Sequence, residues 1–161
     1  MSWIKMTKDT ALTIIVILLL FLGLDTVLTS SIPISTQLED DIILLPEESF
    51  TRGTIKTADR KIVNWKGARN LVHWRFECQK PGTYKVQISH NKAVKEVPIS
   101  ILCNGREISQ IIERKSALTD VGNLSLQNGV YELTMISQEL GKKDRIPDII
   151  SVTIENINKE K

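Results

Sequence analysis

Two alternating runs joined by a turn, VHWRFECQKPGTYKVQI at residues 72–88, are the sequence feature that most constrains the fold of this chain. Apolar residues take every second position, namely Val72, Trp74, Phe76 and Cys78 before the turn and Tyr84, Val86 and Ile88 after it. Pro81 and Gly82 fit the central positions of a type II turn, because proline fixes the first φ and glycine allows the positive second one. A period of two over this length indicates a β-hairpin with one buried face, and it places the aromatic rings of both runs in the core.

The chain after residue 41 carries the same kind of pattern throughout. Asn104-Gly105 and Asn128-Gly129 are two-residue hairpin signals. Alternation recurs in Val97, Ile99, Ile101 and Cys103 and in Ile150, Val152 and Ile154, whereas Val130, Leu133, Met135 and Ile136 break it and predict a bulge or two buried faces. We therefore predict an all-β fold, an antiparallel β-sandwich of roughly eight to ten strands over residues 42–158.

The N-terminus differs in composition from the rest of the chain. Lys5 and Lys8 precede an apolar run at residues 11–24, which is shorter than the roughly 20 residues of a membrane span. The sequence predicts a hydrophobic helix here, either a cleaved signal peptide over residues 1–31 or a retained single transmembrane anchor, followed by a linker at 32–41. In both cases the two lysines stay on the cytoplasmic side, so we expect residues 32–161 to be extracytoplasmic. They would be secreted if the signal is cleaved, and anchored in the membrane through residues 11–24 if it is retained.

Charge and motifs narrow the classes of function. A net charge of +2 argues against a nucleic-acid partner. The sequence has no HExxH, G-x-S-x-G or phosphate-binding glycine motif, and the spacing of its carboxylates selects no catalytic pair. We therefore expect no enzymatic activity.

The two cysteines, Cys78 and Cys103, both lie at inward-facing positions of predicted strands. In an oxidising compartment they form a disulfide if their Cα atoms lie about 4.4–6.8 Å apart, and otherwise they remain two buried thiols. A zinc site is not indicated, because no C-x-x-C occurs and His73 and His90 share no motif with the cysteines.

Six segments occur in an order that is more specific than an all-β pattern. They are DIILLPEES, KIVNW, LVHWRFECQKPGTYKVQI, CNGREI, DVGNLSLQNGVYELTMIS and DIISVTIENI. This order resembles the jelly-roll accessory modules of α-L-fucosidases and of other glycoside hydrolases and sulfatases, which are galactose-binding-like carbohydrate-binding modules. The resemblance spans about residues 42–157 and implies a jelly-roll sandwich that binds a sugar in loops at one edge.

The same resemblance implies that aromatic side chains hold the sugar, since its C–H groups pack on a ring while its hydroxyls bond polar groups at the rim. Trp65 is the position-matched aromatic residue, and Phe50 is a second candidate. The alternative for Trp65, which precedes a turn, is a core residue that closes the space between the two sheets.

A structural calcium ion is also implied by the resemblance, held by acidic groups from the first and last strand regions. Glu47, Glu48 and Asp148 occupy those places. Calcium takes about six to eight oxygen ligands, several of them from carboxylates. The alternative is that Glu47 and Glu48 are surface charges beside a turn.

Together these features predict a non-catalytic, exported β-sandwich module that binds a glycan or an extracellular protein partner. The alternative is a structural or assembly subunit of a membrane or cell-surface complex, anchored by the N-terminal helix. Glycan binding would place Trp65 in a loop cleft, whereas assembly favours a buried Trp65 and a retained helix.

Overall fold

The structure, a computed structural model, describes residues 33–35, 41–67, 70–137, 140 and 144–158. The chain divides into two units after residue 32, and all described residues belong to the second unit. The predicted N-terminal helix, with its alternatives of signal peptide and anchor at 1–31, lies outside the described residues, as does most of the predicted linker. Within the described ranges, no helix has the length and apolar character needed to cross a membrane.

Twelve strands and one short 3-10 helix make up the described part of the chain. The strands are β1 (Ile34–Ser35), β2 (Asp41–Leu44), β3 (Phe50–Arg52), β4 (Lys56–Ala58), β5 (Lys61–Val63), β6 (Leu71–Cys78), β7 (Gly82–His90), β8 (Val97–Cys103), β9 (Arg106–Ile112), β10 (Leu118–Leu126), β11 (Gly129–Ile136) and β12 (Ile149–Asn156), and the 3-10 helix is Pro46–Glu48. The strand number exceeds the predicted one because the stretch before β6 contributes several strands of two to four residues.

The strands form two sheets of six strands each. Sheet A has the order β1-β6-β11-β8-β9, and β3 also pairs with β6. Sheet B has the order β10-β7-β12-β5-β4, and β2 also pairs with β12. Among the paired strands, β1 with β6 is parallel and the others are antiparallel. The prediction of an all-β fold with two sheets is confirmed.

The core lies on the inward faces of the two sheets and contains the alternating residues of the opening hairpin. Trp74, Phe76 and Tyr84 are fully buried, as their parity predicts. Each polar tip has a partner: Trp74 Nε1 donates to Leu45 O at 2.9 Å, and the Tyr84 hydroxyl donates to Lys80 O at 2.7 Å. These bonds matter because an unpaired buried donor costs about 1–3 kcal/mol.

Two details of the predicted alternation are wrong. A bulge between Ile149 and Ser151 in the pairing of β12 with β7 shifts the parity of the strand, so Ile149 is buried whereas Ile150 is 37% exposed. Strand β11, conversely, pairs with β6 without any register shift. Its residues Val130 and Ile136 break the apolar pattern because they lie on the outward face, not because the strand bulges.

The two ends of the sandwich differ in the length of their connections. At one end the turns are short, at residues 79–81, 104–105 and 127–128. At the other end lie the longer connections 64–70, 91–96, 113–117 and 137–148. Long loops on a rigid scaffold are the usual place for binding residues, so this end is where a functional site is expected.

One of these longer connections, the β5–β6 loop, is held by the buried side chain of Asn70. Its Oδ1 accepts from the backbone N–H of Thr54 at 2.8 Å, and its Nδ2 donates to Lys66 O at 2.5 Å and to Gly67 O at 3.2 Å. Gly53, with φ of 103°, packs so closely that a Cβ there would lie 1.8 Å from Asn70 Oδ1. The asparagine therefore substitutes for backbone pairing where the chain enters β6.

We expect Asn70→Ala to lower the free energy of unfolding by about 1.5–4.5 kcal/mol, because it removes three part-buried hydrogen bonds that contribute about 0.5–1.5 kcal/mol each. Urea denaturation of the full chain measures this change. Asn123→Ala, at an exposed position of β10, is the matched control and should change stability by less than about 0.5 kcal/mol. Equal stability of the two variants would contradict the role given to Asn70.

Candidate functional site

A cleft of about 530 Å³ lies at the long-loop end of the sandwich. It is formed by the β7–β8 loop and by the segment that leads into β12, and we call it the loop cleft. Its lining residues are Asn91, Lys92, Val94, Lys95, Asp144, Arg145, Ile146, Pro147 and Asp148. The sequence pattern points to Asp148 alone among them. The signal that could have found the others is the length of the connection between β11 and β12, which is unusual for strands that are consecutive along the chain.

The two walls of the loop cleft are bonded to each other. The backbone N–H of Asn91 donates to Asp148 O at 2.9 Å, and Asn91 Nδ2 donates to Asp148 Oδ2 at 3.0 Å. Lys95 and Asp144 form an ion pair across the cleft. Beneath them, the buried ring of His90 contacts Asn91 O through Nδ1 at 2.7 Å and Thr119 Oγ1 through Nε2 at 2.9 Å. Both loops are therefore fixed relative to the ends of β7 and β12.

Trp65 supports the cleft from the core and does not line it. Its side chain is only 1% exposed, and its Nε1 donates to Ser137 Oγ at 3.1 Å. Its carbonyl oxygen accepts from the backbone N–H of Ile146 at 3.2 Å, and Lys66 forms an antiparallel bridge with Arg145. The prediction of Trp65 as a ligand platform is therefore wrong, and its alternative as a core residue is correct. A platform must be exposed, whereas this ring is sealed between loop and sheet.

Cationic side chains dominate the lining of the loop cleft. Lys92, Lys95 and Arg145 face two carboxylates, of which Asp144 is paired with Lys95 and Asp148 with the Asn91 amide. None of the described side chains that line the cleft is aromatic. A ligand here would be held mainly by charge-assisted hydrogen bonds rather than by ring stacking, and such bonds are about twice as strong as neutral ones.

Phe50, the second predicted aromatic, lies on another surface. It is 44% exposed and pairs across β3 and β6 with His73, on the outward face of sheet A. Thr134 Oγ1 lies 2.8 Å from His73 Nδ1. Burial lowers the pKa of His73, an effect that Glu132 opposes and Arg75 reinforces, and this favours the neutral imidazole. Phe50 is thus an exposed ring beside polar groups, but it is not part of the loop cleft.

The carboxylates predicted to bind calcium do not form a cluster. Glu48 Oε2 accepts from Ser35 Oγ at 2.6 Å and from the backbone N–H of Leu45 at 3.3 Å, which makes it a cap of the 3-10 helix. Glu47 is exposed, and Asp148 is bonded to Asn91. In the described ranges, no three acidic, histidine or cysteine side chains come together in a way that could hold a metal ion. The calcium prediction is therefore corrected: these residues serve as a helix cap, a surface charge and a loop clamp.

The two cysteines are free and buried, and the sheet register keeps them apart. On either side of β11, Cys78 pairs with Gly129 and Cys103 pairs with Leu133. Two strand spacings and four residues along the strand separate them by about 16 Å, far beyond the reach of a disulfide at about 4.4–6.8 Å. The disulfide reading is wrong, and the reading as two buried thiols is correct.

We expect neither thiol to react with iodoacetamide in the folded protein at pH 8. Both are buried, and burial raises the pKa of Cys103 to about 11, so little thiolate is present. Mass spectrometry should find two carbamidomethyl groups after unfolding in urea and none before. Rapid labelling of the native protein would contradict the burial of the thiols. Failure to label in urea without reductant would contradict their being free.

Comparison with protein-family models gives no match, and comparison with curated protein sequences gives none either. Solved structures, in contrast, share the fold. The Podospora anserina GH26-CBM35 β-(1,4)-mannanase superimposes with a TM-score of 0.61 at 11% identity over 77% of this chain. A family 35 carbohydrate binding module from Clostridium thermocellum gives 0.55 at 12% identity over 71% of this chain and 96% of its own. The mannan binding module from Man5C gives 0.56 at 13% identity, over 72% and 98%.

These similarities establish the fold. At 11–13% identity, the chain shares the β-sandwich of carbohydrate-binding modules, and it spans 29% of the length of the mannanase chain. The expected carbohydrate-binding-module architecture is therefore confirmed at the level of fold. The three structures are not fucosidase or sulfatase modules, so that finer part of the resemblance stays a prediction.

Proposed function

We propose that this protein is a non-catalytic carbohydrate-binding module and that the loop cleft is its glycan site. The observation that carries the proposal is the cleft itself, formed by two mutually bonded loops at one end of a sandwich of the carbohydrate-binding-module fold. Its volume of about 530 Å³ falls within the usual range for small-molecule sites, about 300–1,000 Å³.

The chemistry of the cleft suits a polyhydroxylated ligand. Sugar hydroxyls both donate and accept, and the cleft offers ammonium, guanidinium, amide and carboxylate groups over a short distance. The side chain of Arg145 is exposed and can present two parallel N–H groups to neighbouring oxygens of one sugar ring. Val94, which is 88% exposed, and the half-buried Pro147 supply a small apolar surface for the C–H face of the ring.

The arrangement of the carboxylates favours binding over hydrolysis. Glycoside cleavage needs one carboxylic acid and one carboxylate on opposite sides of the scissile bond. Here Asp144 is held by Lys95 and Asp148 by the Asn91 amide, so each carboxylate already has a structural contact in a wall of the cleft. These contacts hold the walls of the cleft in place, as the binding of a glycan requires.

The proposal includes an extracytoplasmic location for the module. Lys5 and Lys8 before the apolar run at 11–24 support export of the following residues. Structural polysaccharides are found outside the cytoplasm, so the location and the glycan ligand agree with each other. N-terminal sequencing of the secreted or membrane fraction distinguishes a cleaved signal from a retained anchor.

Affinity electrophoresis of the full chain through gels that contain mannan, galactan, xylan or pectin tests the proposed function. We expect at least one polysaccharide to retard the protein, and Arg145→Ala to weaken that binding at least tenfold. Loss of a hydrogen bond from a charged donor is worth about 1.5–3 kcal/mol, and each 1.4 kcal/mol corresponds to about a factor of ten.

Arg106→Ala is the matched control, because Arg106 is an exposed arginine at the opposite end of the sandwich. It should bind like the unmodified protein. Two results would contradict the proposal. One is that no polysaccharide retards the protein, and the other is that Arg106→Ala loses as much binding as Arg145→Ala.

A further inference from the structure

Among the strands of the described residues, β9 forms one edge of sheet A. It pairs with β8 in a continuous register from Val97↔Ile112 to Cys103↔Arg106. Its last five residues, ISQII at 108–112, include no charged residue and no proline. Edge strands with these properties present unpaired backbone groups that another strand can use, and natural proteins usually protect them.

The other edges of the two sheets are protected in recognisable ways. Strand β10, the long edge of sheet B, has a bulge between Asp120 and Gly122. Strand β4, at the other edge of sheet B, has three residues, and β1 of sheet A has two. Bulges and short length are both devices that prevent strand addition. Strand β9 therefore stands out as a regular edge of seven residues.

The backbone of β9 presents hydrogen-bonding groups away from β8 at Ile111. This residue pairs with Pro98, which has no N–H to donate, and its own N–H donates to the side chain of Gln110 at 3.0 Å. Ile111 therefore occupies a non-hydrogen-bonded position of the β8–β9 ladder, and its N–H points outward. Because these positions alternate along an antiparallel pair, the N–H and C=O of Ser109 point outward as well.

A hollow lies on each side of β9. On the outward face of sheet A, Pro98, Ser100, Ser109 and Ile111 line a hollow of about 320 Å³, and the Ile111 side chain is 49% exposed. The second hollow, of about 290 Å³, faces the edge of sheet B and is lined by Gln110, Ile111, Glu113, Leu118, Thr119 and Asp120. Successive side chains of an added strand would enter the two hollows alternately, which is how strand addition gains specificity.

The two hollows differ in chemistry and so specify the occupant. The outward hollow offers apolar surface from Pro98 and Ile111. The inward hollow offers the carboxylates of Glu113 and Asp120, and since Asp120 is paired with Lys85 at 2.7 Å, Glu113 is its principal anion. An added strand would therefore fit both hollows if it placed an apolar side chain in the outward hollow and a basic side chain in the inward one.

We propose that β9 binds an extended segment of a partner protein, in which apolar and basic residues alternate, as a seventh strand of sheet A. Binding displaces the Gln110 side chain, which in the free protein covers the edge by accepting from Ile111 N and donating to Asp120 O at 3.1 Å. No described residue lines both this surface and the loop cleft.

Fluorescence anisotropy of a labelled VKVKVKV peptide, titrated with the full chain, tests the proposal. We expect saturable binding, and at least tenfold weaker binding of VEVEVEV. Ser109→Pro should also weaken binding of VKVKVKV at least tenfold, because it removes an outward N–H that β8 does not use. Ser109→Ala, which loses the contact with Ser100 Oγ but keeps the N–H, should bind within about twofold of the unmodified protein.

N-methylated peptides test the pairing without changing the protein. If the peptide adds antiparallel to β9, as β8 does on the other side, the residues opposite Ser109 and Ile111 share the outward face, so they are the valines, and their N–H groups point towards β9. Methylation of the valine nitrogens should abolish binding, and methylation of the lysine nitrogens should preserve it. Glu113→Lys should transfer the preference from VKVKVKV to VEVEVEV.

Three outcomes would overturn the proposal. One is the absence of saturable binding of VKVKVKV. Another is equal binding of the two N-methylated peptides, which would exclude strand addition. The third is a dimer of the chain alone that Ser109→Pro dissociates, since the occupant would then be a second copy. A cooperative urea unfolding transition of Ser109→Pro shows that this variant is folded.

Discussion

The burial of Trp65 is the interaction on which the loop end of this protein depends. Its indole N–H donates to Ser137, and its carbonyl oxygen accepts from Ile146, so one residue joins the β5–β6 connection to both ends of the β11–β12 connection. The β11–β12 connection supplies one wall of the loop cleft, and the Asn91–Asp148 bonds then fix the other wall to it. A residue that the sequence suggests as the binding surface is instead the support beneath that surface.

The alternation of apolar residues predicts most of the fold because period two is a local property. It identifies β6, β7 and β8 and the buried face of each. It fails at β12, where a bulge shifts the parity between Ile149 and Ile150, since a bulge depends on the pairing with β7 and not on the strand's own residues. The alternation also does not predict the two-residue strand β1 or its parallel pairing with β6.

The site is less predictable than the fold because its contacts join distant parts of the chain. The partner of the Trp65 indole lies 72 residues later, so no local pattern could decide between platform and core. The separation of Cys78 from Cys103 likewise depends on β11 lying between their strands. Glu48 could not be recognised as a cap without the position of Ser35. Phe50, the second candidate ring, is in contrast exposed, but it lies on a face away from the loop cleft.

We propose that the loop cleft binds a glycan and that the β-sandwich beneath it stays rigid. Amide NMR spectra of the full chain, recorded during titration with fragments of a polysaccharide that it binds, test this most directly. We predict shift changes concentrated at residues 91–95 and 144–148, with little change at the turns 79–81 and 104–105 of the opposite end. Shift changes confined to Phe50 and the outward face of β6, with none at the loop cleft, would contradict it.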